Sequence, residues 1–105
     1  MDFKKFITKA KEVQKLYREL NKKRNEKKWT VSEYAQGLVG DVGNLTRLVM
    51  AKNNFRTIQN INEELKHELV DCLWALIIIS EELHIDLEKE YFEKMKKFKK
   101  IIKTA

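Results

Sequence analysis

The chain has no proline, one cysteine and three glycines in 105 residues. Proline and glycine are the residues that break helices and build tight turns, so their scarcity predicts long helices with short connections. The lone cysteine, Cys72, excludes an intrachain disulfide framework and suits a reducing compartment. No long hydrophobic run is present. The strongest, Cys72 to Ile79, is far short of the ~20 apolar residues that a membrane span needs. Met1 is followed by Asp2 and an amphipathic stretch instead of an apolar leader. The expectation is therefore a cytoplasmic protein with no membrane partner.

What is present is charge. Charged residues make up 36% and hydrophobic residues 43%, which excludes a disordered chain and suits a helical globular one. The length allows a single domain, 1–105, with a small core that self-association would help to stabilise. The net charge of +6 is uneven. Residues 1–28 carry eleven basic and four acidic groups, whereas residues 60–85 carry one basic and six acidic. One acidic segment thus sits among basic ones. Such a balance fits a pocket for a polyanion such as a nucleoside triphosphate. It also admits a small basic nucleic-acid-binding helical protein, the lesser reading, or simply solvated lysine faces.

Four helices follow from the apolar periodicity, which makes the fold class all-α, a four-helix bundle-like protomer. Helix one covers 3–26, with Phe3, Phe6, Ile7, Ala10, Val13, Tyr17 and Leu20 on its stripe. Helix two opens on Thr30-Val-Ser-Glu33, a capping box, and closes at Lys52-Asn-Asn54. Leu38, Val42, Leu45 and Val49 form its stripe. Helix three begins near Asn60, where Asn60-Ile-Asn-Glu63 again has the capping-box pattern. From Cys72 to Ile79 it is apolar almost all round, which predicts burial on every side and a dimer or tetramer interface. Helix four follows an Asp86 N-cap, with Leu87, Tyr91, Met95, Phe98 and Ile102 on its stripe.

All three glycines, at 37, 40 and 43, fall inside helix two. Each costs a helix interior about 0.8–1 kcal/mol relative to alanine, so close approach of a neighbouring helix or a phosphate is the expected return. Beside them lie Asp41 and Asn44, at the i, i+3 spacing that puts two side chains on one helical face. Glu68 and Asp71 repeat that spacing on helix three, with Glu64 one turn earlier. Both pairs border apolar stripes. Facing each other, they would offer the oxygen donors that Mg²⁺ takes, one or two carboxylates with waters and substrate phosphates completing the shell. Surface pairing with the many lysines is the alternative for these acids.

These residues resemble the MazG-type all-α nucleoside triphosphate pyrophosphohydrolases. Leu38-Val-Gly-Asp-Val-Gly-Asn-Leu45 is similar to that family's L-V-G-E-x-G-E-L, and Glu68-Leu-Val-Asp-Cys-Leu-Trp74 to its E-L-x-D-V-L-x. Leu83-His-Ile-Asp-Leu-Glu88 resembles L-G-I-D-L-E, with Lys94-Met95 where a K-M follows. The resemblance spans about 30–105. It implies hydrolysis of a nucleoside triphosphate to the monophosphate and pyrophosphate, with Mg²⁺, or Mn²⁺, as cofactor. The implied metal ligands are Asp41, Asn44, Glu68 and Asp71, with Glu64 in reserve, and Asp41, Glu68 and Asp71 are the implied catalytic carboxylates. A homodimer or homotetramer is the implied assembly. Two positions depart from the pattern: Asp41 and Asn44 stand where the family has glutamates, and Asn44 brings no charge. Phe98 stands where the family often has asparagine. A degenerate relative that binds nucleotide or partner without hydrolysis therefore stays open as a second reading.

Lys52, Lys94 and Lys97 are candidate phosphate contacts, and Trp29, in the loop before helix two, is the candidate base-stacking residue. Trp74 and Cys72 read as core. His67 reads as a surface histidine off the carboxylate face. His84, where the family often has glycine, is expected as a left-handed helix C-cap.

Overall fold

The computed structural model describes residues 2–54 and 56–105. Four helices run through them: α1 (Phe3–Lys23), α2 (Val31–Asn53), α3 (Ile61–Glu82) and α4 (Leu87–Thr104). No strand occurs among the described residues, and no helix is long and apolar enough to cross a membrane.

Local chemistry sets the ends. Asp2 and Asp86 cap α1 and α4, each accepting a main-chain N–H from the first turn. At α2 the capping box forms, with Glu33 Oε1 accepting the Thr30 N–H at 2.8 Å. The box expected at Asn60 does not form. Asn60 takes a left-handed conformation (φ 58°), its side chain caps nothing, and only its carbonyl joins the helix. Helix one also ends three residues earlier than its periodicity implies. Asn25 turns left-handed (φ 56°), and the N–H groups of Asn25 and Glu26 bond back to Lys22 and Asn21. His84 (φ 57°) closes α3 in the same way, as expected, with Ile85 N–H on the Ser80 carbonyl.

α2 and α3 form an antiparallel hairpin, as the cross-helix pairs Tyr34–Trp74 and Lys52–Asn62 show. α1 lies across α3. Ala10, Tyr34, Ile77 and Ile78 make the core where the three helices meet, with Phe3, Ile7, Trp74 and Leu87 packed around it. A polar bridge locks the same junction. Gln14 Nε2 donates to Tyr34 Oη at 3.3 Å and to Glu82 Oε1 at 2.8 Å, and Arg18 meets that carboxylate at 2.7 Å. Along the hairpin itself Leu48 and Ala51 are buried on α2, and Cys72 and Ala75 on α3.

α4 stands apart. None of its residues is buried, and Tyr91, Met95, Phe98 and Ile102 are open. The radius of gyration is 16.9 Å, against ~13 Å for a compact domain of this size. The Cys72–Ile79 run is not covered on every side in the single chain: Cys72, Ala75, Ile77 and Ile78 are buried, but Leu73 and Leu76 face outward.

Candidate functional site

A cleft of about 610 Å³ opens where α1, α2 and α3 converge. Aromatic rings from all three helices and the loop before α2 line part of it. Tyr34 is central: its ring meets Trp29 edge-on at 5.6 Å and Trp74 edge-on at 5.7 Å. Tyr17 in turn meets Trp74 at 5.9 Å. The Trp74 indole N–H donates to the Ala10 carbonyl at 3.1 Å, so its ring is fixed. Trp29 is held more loosely, 44% exposed, with its ring 3.6 Å from where a Cβ on Gly37 would stand.

Carboxylates line the cleft further along the hairpin. Asp41 projects from α2 and Asp71 from α3, and both reach it. Asp41 lies seven residues past Tyr34, about 10 Å along the helix. Burial raises the Asp41 carboxyl above its ordinary range, the Asp71 charge raises it further, and His67 opposes both. Glu68, on the same helix as Asp71, is only 9% exposed, and its Oε2 is buried without a hydrogen-bond partner. Beneath these groups Cys72 is buried. Its thiol is pushed up by burial first, and then by Asp41, Glu68 and Asp71. The three carboxylates therefore share one neighbourhood across the α2–α3 pair.

His67 belongs to this neighbourhood, contrary to the reading from the helical wheel. Its Nε2 lies 3.1 Å from Asp71 Oδ2, one turn away. Donor atoms of His67, Glu68 and Asp71 all fall within 4.8 Å of one another. The i, i+4 spacing of His67 and Asp71 carried that signal in the sequence. The donor set suits a divalent cation, because a buried carboxylate oxygen without a partner is costly unless a cation or a hydrogen bond satisfies it.

The remaining candidates separate. Glu64 is exposed and does not join the His67–Glu68–Asp71 group, and Asn44 is exposed on α2. Lys52 is exposed at the end of α2, with its ammonium on Asn62 Oδ1. Lys94 and Lys97 lie exposed on α4 and do not line the cleft. The cation that does line it is Arg24, at the C-cap of α1, which sequence reasoning missed. Only the basic tract 22–28 pointed there; the turn after Lys23 brings Arg24 to the cleft. Among the described residues nothing lies within 4 Å of the Cβ positions of Gly40 and Gly43, so the close approach expected of them is not made by those residues.

Compared with known proteins, the chain matches no family, no curated protein and no solved structure.

Proposed function

We propose that the chain is a divalent-cation-dependent nucleoside triphosphate pyrophosphohydrolase of the MazG type. One observation carries the reading: a single cleft joins an aromatic wall to the carboxylates of Asp41 and Asp71, and beside Asp71 Glu68 holds a buried oxygen with no hydrogen-bond partner among the described residues. A base stacks against Trp29 and Trp74, and the triphosphate runs toward Asp41 and Asp71. The ~10 Å from Tyr34 to Asp41 suits a nucleoside with its phosphates extended along the hairpin.

Asp41, Glu68 and Asp71 are the residues that would hold the cation and orient water at the α-phosphorus. A divalent ion bound there neutralises phosphate charge and makes bound water more acidic. A carboxylate of this group accepts the water proton. The new P–O bond forms at the α-phosphorus, its bond to the bridging oxygen breaks, and pyrophosphate leaves. Arg24 meets the negative charge of the phosphates from the α1 side. The open stripe of α4, with outward Leu73 and Leu76, gives a second copy apolar surface on which to pack, and a homodimer or homotetramer is part of the proposal.

Both tryptophans of the chain line the cleft, so intrinsic fluorescence reads its occupancy directly. Titration with a non-hydrolysable nucleoside triphosphate analogue and Mg²⁺ or Mn²⁺ is expected to quench it saturably. An unchanged spectrum across analogues of all the common bases would refute the reading. The degenerate alternative, favoured by the neutral, exposed Asn44, gives the same quench without turnover.

A further inference from the structure

The geometry points to His67, Glu68 and Asp71 as a mixed nitrogen–oxygen site for a first-row transition cation, with His67 as a metal ligand. The inference rests on the proposed reading of the cleft carboxylates as cation ligands and adds the identity of the cation.

Three observations carry it. The imidazole Nε2 is turned toward Asp71 Oδ2 at 3.1 Å, a separation that two ligands of one ion commonly have. All three donors lie within 4.8 Å of one another. Donors about 2.1 Å from a shared ion stand up to roughly 4.2 Å apart, so a small change of rotamer closes the set. Glu68, a member of this group, is nine-tenths buried, and its Oε2 has no hydrogen-bond partner among the described residues. A carboxylate oxygen is left in that state only at a cost, which a bound cation removes.

The donor types then choose the ion. Mg²⁺ prefers an all-oxygen octahedron and gains little from imidazole. Mn²⁺, Co²⁺ and Zn²⁺ accept nitrogen readily, and their affinities for such sites rise along the Irving–Williams order. Asp41, on α2, lines the same cleft as Asp71 and stands outside the three-donor group. With two carboxylates and one imidazole, positions stay open for water and for a phosphate.

The test is calorimetric titration of the chelator-treated full chain with Mg²⁺ and with Co²⁺, alongside His67→Ala. His67 is exposed, so its truncation leaves the fold intact, and circular dichroism checks this. Co²⁺ is expected to bind at least tenfold more tightly than Mg²⁺ and to develop visible d–d absorption with nitrogen in the shell. His67→Ala is expected to weaken Co²⁺ tenfold or more while changing Mg²⁺ less than twofold. Equal Co²⁺ affinity in the variant would overturn the role of His67 while leaving the carboxylate site standing. Binding of neither cation to the wild-type chain would overturn both this inference and the cation reading of the cleft.

Discussion

The indole Nε1 of Trp74 donates to the main-chain carbonyl of Ala10 at 3.1 Å, which ties α3 to α1 along the wall of the cleft. The same ring meets Tyr17 and Tyr34 edge-on, so one side chain both packs the junction and shapes the site. Trp74→Phe keeps a ring but removes the donor. It is expected to cost about 1 kcal/mol in urea denaturation and to weaken nucleotide binding through a less fixed wall. Unchanged stability would mean that the bond contributes nothing net.

Glu68 carries a conflict between stability and function. Its Oε2 is buried and unpaired, and leaving such a group unsatisfied costs roughly 1–3 kcal/mol. Glu68→Gln removes the charge at nearly constant volume. In chelator-treated buffer the variant is expected to be more stable than the wild type, and added divalent cation is expected to raise its Tm no further. A variant less stable than the metal-free wild type would argue that Glu68 has a structural partner.

Gly40 and Gly43 lie within α2, and neither has a positive φ. A Cβ at either position would meet nothing within 4 Å among the described residues. Gly40→Ala and Gly43→Ala should therefore each stabilise the protein by about 0.8–1 kcal/mol through helix propensity, measured by denaturation at low concentration. Destabilisation that grows with protein concentration would instead identify this face as the one a second copy approaches.

Glu33 makes acid stability partly local. Its carboxylate accepts the Thr30 N–H and hydroxyl, at 2.8 and 2.9 Å, and these bonds hold its pKa below the usual 4.5. A lowered folded-state pKa gives stability that is present above 4.5 and is lost as pH falls through the folded value. Glu33→Gln should thus be less stable than the wild type at neutral pH, and the gap should narrow below pH 4.5. A gap that is constant with pH would exclude the carboxylate as its source.

The helices were legible because their apolar stripes repeat at the helical period and because Thr30 and Asp86 are strong caps. Asn60 misled, since asparagine serves both as an N-cap and as a left-handed residue, and the loop geometry chose the second. The Cys72–Ile79 run predicted complete burial. Composition alone cannot separate Ile77 and Ile78, which are buried in the core with Ala10 and Tyr34, from Leu73 and Leu76, which stay exposed. At the site, Asp41 and Asp71 were legible from spacing, and Trp29 from its place before α2. Tyr17, Tyr34 and Arg24 were not, because each comes from a different stretch of chain and only the packing of α1 on the hairpin brings them together. His67 is a surface histidine as its sequence context implies, but it is not off the carboxylate face: a histidine one turn from Asp71 meets it by side-chain length, which a wheel angle does not show.

The most direct test of the proposed hydrolysis is ³¹P NMR of a nucleoside triphosphate panel incubated with the protein and Mg²⁺, Mn²⁺ or Co²⁺. The account predicts nucleoside monophosphate and pyrophosphate in equal amounts from at least one nucleotide, with loss of both products in Asp71→Asn. Release of inorganic phosphate with nucleoside diphosphate, or no product from any nucleotide with any of the three cations, would contradict it.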